Sequence, residues 1–441
     1  MKNKCLNLLS LAVVLAMSIS ACSLTAPKSQ PVELTFWYWG EDDAPGADAW
    51  LAESVAAYKQ VKPNVTVTVV KQSSDTLISG FQTAVSAKSG PDIASQWATG
   101  PVLGFVWQDA LVPVSDYVPA SEMQNWLNID ENKYNGKYWG APIYLISIDF
   151  MYNKDLFAKA GVTAPASGQW TWAEFTAACD KLIAAGITPF VTDDKTGYGG
   201  AWWWSIVGTG NLNSTEELRQ AVIGNKPFTD DVYTGWFKTL DDMVKKGYFN
   251  KDVMSLDIPM SGPAFGKGQG AMAWGTDGMV KQAMTDLGAD KVGVMLAPKW
   301  GTGKLADAGD ATQSTSYLIT KWSKHPQDAA DFLVYLHTPD RMTSWYKHTG
   351  VVFADKRFDR SLVTDPVLKQ LMEWETGSMQ QVWVENYLPG QIDGDGDLPA
   401  GELIFSQSGS PADAAALWEK AAETWRSQHP DELKNWQNWQ P

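Results

Sequence analysis

Residues 32–95 alternate apolar, aromatic-rich runs with amphipathic stretches at a spacing that few folds can satisfy. Val32–Trp39 reads as a strand and Gly40–Gly46 as a turn, and Asp48–Lys62 places Trp50, Leu51, Val55 and Tyr58 along one helical face. Pro63 and Asn64 stop that helix. Val65–Val70 is a second strand, Asp75–Ser89 a second helix, and Pro91–Ser95 opens a third strand. Strands and helices alternating in this way predict a parallel sheet covered on both faces.

The middle of the chain is more helical. Helices are predicted over Trp172–Ala185, Asp230–Lys246 and Gly278–Asp286, with short strands at Pro189–Val191, Ala271–Trp274 and Val292–Leu296. Ser314–Thr320 is a late strand, and Pro326–His337 a helix opened by proline. Pro411–Ser427 is a long helix that ends the regular structure.

Before the first strand, Lys2 and Lys4 precede a mostly apolar run, Leu6–Ile19, too short to span a membrane, and Ser20 and Ala21 lead to Cys22. That layout is an export signal. The ending Ile19-Ser20-Ala21-Cys22 resembles a bacterial lipobox. The resemblance implies removal of residues 1–21, lipid on Cys22, and a polar tether over 22–31 that holds the protein at the outer face of a cell membrane. Such cleavage leaves 420 of 441 residues, which suits two lobes of roughly 150–200 residues rather than one core. Without the two leader lysines, 33 basic residues oppose 50 acidic ones, a net −17 against −15 for the whole chain. That field repels nucleic acid, anionic lipid and strongly anionic ligands. Cys179 would then be the one internal cysteine, so neither an intrachain disulfide nor a thiolate metal cluster is expected. Its helical spacing with Phe175 and Leu182 assigns it to a core.

Several segments, in order along nearly all of the mature chain, resemble the family 1 extracellular solute-binding proteins of ABC importers, the maltose-binding-protein-like group. They are Val32–Trp39 (VELTFWYW), Tyr58–Val70 (YKQVKPNVTVTVV), Ser89–Asp92 (SGPD), Tyr138–Gly161 (YWGAPIYLISIDFMYNKDLFAKAG), Trp170–Ala185, Phe265–Met272 (FGKGQGAM) and Lys324–Leu336 (KHPQDAADFLVYL). The resemblance implies an α/β, two-lobe, type II periplasmic-binding-protein-like fold, with interleaved lobes joined by hinge strands. One lobe would hold 32–143 and 312–345, the other 146–308 and 350–441. Such binders trap a ligand between the lobes by hinge rotation.

Sugars present C–H faces that pack on indole or phenol rings, and hydroxyl edges that need donors and acceptors in plane. With 23 tryptophans, the chain has rings to supply. Trp39-Gly40-Glu41-Asp42-Asp43 lies at the carboxyl end of the first strand, where open α/β sheets bind ligands. There Glu41 or Asp42 is expected to accept sugar hydroxyls, with Trp39 stacking. Gln96 and Trp97 follow the third strand, and Tyr144 follows Pro142 towards the cleft floor. Trp202, Trp203 and Trp204 cannot all face one core, so at least one ring is expected to be exposed or to meet ligand. Thr276 and Asp277 end a strand and open a helix, where Asp277 either binds a hydroxyl or caps that helix. Gln313, Trp383, Asn386 and Tyr387 complete the candidates.

Asp393, Asp395 and Asp397 alternate with glycine like the start of a calcium loop, although loop position 12 falls on Ile404. A structural calcium ion there, or simply a Gly–Asp turn, are the two readings; no other cofactor is expected. Gly266–Ala271 has dinucleotide-fingerprint spacing in the wrong context, since prolines occupy the place of the preceding strand. The four histidines lack zinc spacing. The expectation is a monomeric, lipid-anchored, non-enzymatic receptor that hands a sugar or oligosaccharide to ABC permease subunits. The alternatives are a receptor for a polyamine, peptide or polyol phosphate, and a glycoside hydrolase pairing Glu41 with Asp277.

Overall fold

The computed structural model describes residues 30–439 apart from Asp42, 258–259, 308–310 and 378–382. The export signal, Cys22 and most of the tether therefore lie outside the described residues, as does Asp42. The first strands and helices follow the sequence pattern: β1 (Val32–Tyr38), α1 (Ala47–Val61), β2 (Val65–Lys71), α2 (Ser74–Ala87), β3 (Ile93–Trp97) and α3 (Gly100–Trp107). β1 runs parallel to both β2 and β3, and its Leu34 and Phe36 are buried.

β4 (Ala141–Asn153) is the long central strand. Beyond it come β5 (Phe190–Val191), α4 (Tyr198–Ile206), β6 (Met272–Gly275), α5 (Asp277–Leu287), β7 (Val292–Lys299) and β8 (Ala311–Thr320). The strand path is β2-β1-β3-β8-β4-β6-β5, with β7 on the other edge of β4. Residues Ala141–Ile148 of β4 pair antiparallel with β8, Asp149–Tyr152 with β6 and Phe150–Asn153 with β7. β4 therefore pairs with β8 along its first half and with β6 and β7 along its second, and carries the chain across. Residues 352–354 run along the same strand: Leu145 N–H donates to Val352 O at 3.2 Å, and Ala354 N–H to Ile143 O at 2.9 Å.

The C-terminal third is helical, with α6 (Pro366–Glu375), α7 (Pro411–Gln428) and α8 (Pro430–Asn438). α8 corrects the expectation that regular structure stops at Ser427. Its nine residues carry only a weak apolar face, and proline at its start fixes the first turn. Among the described residues, no helix is long and apolar enough to cross a membrane.

Candidate functional site

The turns at the carboxyl ends of the parallel strands β1 and β3, and of β5 and β6, are the two candidate rims of the cleft, since α/β sheets bind ligands at such ends. The rims touch. A Cβ built on Gly278, the second residue of α5, would lie 3.0 Å from Pro45 Cδ, and one on Gly100 only 2.2 Å from Asn386 O. Glycine at both places lets one lobe seat against the other.

The centre of the first rim is Asp43. Its Oδ2 accepts from Trp39 Nε1 at 2.9 Å, from the Tyr144 hydroxyl at 2.7 Å and from Thr315 Oγ1 at 3.4 Å. Tyr144 and Thr315 face each other across the hinge strands, and Ile143 is unmatched between the Tyr144–Thr315 and Pro142–Ser316 pairs. That bulge re-aims the Tyr144 side chain. The ring also stacks on Trp345 at 4.8 Å, and burial holds its phenol protonated, well above the ordinary tyrosine value. The first lobe and the hinge thus meet in one carboxylate.

The neighbouring candidates take other places. Glu41 does not face the cleft as a sugar acceptor: its two oxygens accept the Gly46 and Asp48 N–H groups, each at 3.0 Å, and so organise the start of α1. Trp39 is buried in a core cluster with Leu77 and Phe81, which corrects the expectation that it stacks on ligand; it positions Asp43. The Gln96 side chain is buried and accepts the N–H of Trp97. Trp97 itself is half-buried and lies 5.3 Å from Trp39, ring to ring. Just beyond it, Thr99 holds φ +69° and ψ −122°, a conformation rare for a side-chain-bearing residue, at the entry to α3. Neither Asp43, third in a run of acids, nor Thr99 carries a distinguishing sequence signal.

On the second rim the tryptophan triplet divides. Trp203 enters the sheet core, 4.7 Å from Trp274 and 4.8 Å from Phe190, and Trp204 meets Trp418 edge-on at 4.6 Å. These two are core residues, not ligand contacts, because α4 lies between two packing layers. Trp202 is the half-exposed member, edge-on to Trp383 at 6.3 Å. Thr276 caps α5 by accepting the Met279 N–H at 3.4 Å. Asp277 is buried beside Glu375, and the Val352 N–H also bonds it; burial pushes its carboxyl up to about 6. Asp194, at the end of β5, accepts the Gly200 N–H at 2.7 Å and is pushed up to about 8 by burial. Glu41 is thus bound to backbone and Asp277 is paired with Glu375.

Gln313 on β8 and Asn386 come together, the Asn386 Nδ2 donating to Gln313 Oε1. Tyr387 instead stacks on Trp439 at 5.7 Å. Residues Asp393–Asp397 form a π-helical turn leading into the helix Leu398–Phe405, not an open loop. Asp395 is exposed while Asp397 is buried, so the three carboxylates do not converge as a calcium loop requires. Among the described residues, no group of three or more His, Cys, Asp or Glu side chains is placed to hold a metal ion.

Residues 43–342 match the family model described as bacterial extracellular solute-binding protein. A putative binding protein of Brucella abortus is 23% identical over 325 residues, which span 70% of this chain and 73% of that one. Among solved structures, a chitin oligosaccharide binding protein aligns with TM-score 0.78 at 19% identity, covering 90% of this chain and 99% of that one. A protein of Caldanaerobius polysaccharolyticus, described in a study of xylan utilization, aligns with TM-score 0.76 at 22% identity over 88% of this chain and 99% of that one. The bacterial solute receptor AcbH, described as preferring β-D-galactopyranose exclusively, aligns with TM-score 0.75 at 18% identity over 90% and 98%. These alignments show the shared two-lobe fold over 88–90% of this chain.

Proposed function

We propose, since this chain belongs to the bacterial extracellular solute-binding proteins, that its solute is a sugar or short oligosaccharide held between the lobes. The observation that carries the reading is Asp43, a carboxylate fixed at the lobe junction by three side-chain donors, with half-exposed rings on either rim at Trp97 and Trp202. A fixed acceptor beside flat apolar faces is what a hydroxylated ring requires. The oligosaccharide and galactose receptors that share the fold support the same class of ligand. Ligand contacts that exist only when the rims meet favour the closed form, and no bond in the solute is made or broken. ABC permease subunits would receive the sugar. Lipid on Cys22 would keep the receptor at the outer face of the membrane.

The test is a thermal-shift screen over neutral oligosaccharides, polyamines, peptides and polyol phosphates, followed by titration calorimetry. A true ligand at 100 times its dissociation constant adds about 2.7 kcal/mol of stability. Stabilisation by a glycan, with the glycan recovered intact, supports the proposal. A response to polyamine or peptide alone, or the release of new reducing ends, overturns it.

A further inference from the structure

The C-terminal helix joins the lobes through contacts other than those of Asp43. α8 is anchored to the second lobe by Arg219, whose Nη1 donates to Trp436 O at 2.8 Å and to Gln437 O at 3.2 Å. Arg219 is itself held by both carboxylate oxygens of Glu216, each at 2.7 Å. From that anchor, Trp436 and the following Trp439 reach the first lobe. Their rings lie 5.5 Å and 6.3 Å from the ring of Trp107, the last residue of α3, and 5.1 Å from one another. Both are buried.

α3 starts at the cleft, where Gly100 abuts Asn386, and Trp107 lies seven residues further along. At 1.5 Å of rise per residue, that is about 10 Å back along the flank of the first lobe. Stacked Tyr387 ties the same strap to the segment beside Asn386. Separating the lobes would pull the Trp436 and Trp439 rings off Trp107 and hydrate all three, whereas rotation within the closed form leaves them packed.

We propose that residues 430–439 are a strap that holds the lobes closed, with Trp107 as its catch and Arg219 as its fixing point. It acts on the open–closed equilibrium, so it changes the affinity for any solute without touching one. The inference needs only the two-lobe architecture and is indifferent to which solute the cleft takes.

Hydrogen exchange followed by mass spectrometry on the full chain, without ligand, tests it. Trp439→Ala and Trp107→Ala should each speed exchange about three- to tenfold in residues 44–47 and 278–280, the rim contacts far from the substituted rings. Protection in β1 and β6, inside the lobes, should stay at the wild-type level. Trp439→Phe should restore most of the rim protection. Faster exchange confined to 430–439 overturns the proposal, because the strap would then be local structure only. Loss of protection through β1 and β6 in both alanine variants also overturns it, since the rings would then maintain the lobes themselves rather than their closure.

Discussion

The two rims of the cleft are made rigid by different means. On the first rim, a polar turn is held by directed hydrogen bonds: Trp39, Tyr144 and Thr315 converge on Asp43, and Glu41 binds two backbone N–H groups. On the second, the acidic groups Asp277 and Asp194 are sunk behind an aromatic core built on Phe150, Phe190, Trp203 and Trp274, where burial favours their neutral forms. One rim keeps a carboxylate at the lobe junction by supplying donors. The other buries its carboxyls among rings that are themselves buried. Each rim keeps one half-exposed ring, Trp97 on the first and Trp202 on the second.

Exchanging the damage between the rims gives the largest effects. Trp203→Ala should remove about 3–5 kcal/mol of folding stability, read by urea denaturation, because a fully buried indole leaves a cavity among rings. Asp43→Ala should remove less, about 1–3 kcal/mol, since it leaves three donors without their shared acceptor. Its loss of ligand affinity should be roughly 10- to 100-fold by calorimetry. Equal losses of stability would show that hydrogen bonding and packing do not divide between the rims.

Acidity gives an intermediate effect. Asp277 has its folded-state value raised to about 6, against about 3.9 for an unfolded aspartate. The native protein therefore binds more protons than the unfolded chain between those values. Its contribution is fully present below pH ~4 and is lost as pH rises through about 6. Asp194, raised to about 8, extends the same trend upward. Unfolding free energy should fall as pH rises from 4 to 8, and Asp277→Asn should flatten the lower part of that slope. A slope unchanged in Asp277→Asn would mean that this pair is as hydrated as the acids of the first rim.

The strand–helix alternation was legible because period and turn residues are local: β1, α1, β2 and β3 lie within two residues of where periodicity placed them. Trp202–Trp204 could be split in principle, since neighbouring helical residues diverge, but which ring stays near solvent depends on α4 lying between the sheet and α7. That Asp43 gathers side-chain donors was equally out of reach, because Tyr144 and Thr315 are 101 and 272 residues from it. α8 was missed because it is held by Arg219 and Trp107, partners distant in sequence, and hardly by its own apolar pattern.

The smallest effect separates two acids in the same turn. Glu41 lies two residues before Asp43, yet its oxygens face the start of α1, where the unpaired N–H groups and the helix dipole favour negative charge. Glu41→Gln keeps one acceptor and removes the charge, so stability should drop by only about 0.5–1 kcal/mol. Ligand affinity should stay within about twofold of wild type, because Asp43 retains its donors Trp39, Tyr144 and Thr315. A tenfold loss of affinity in Glu41→Gln would mean that the turn, and not those donors, fixes Asp43. The first rim would then owe its rigidity to the helix it precedes.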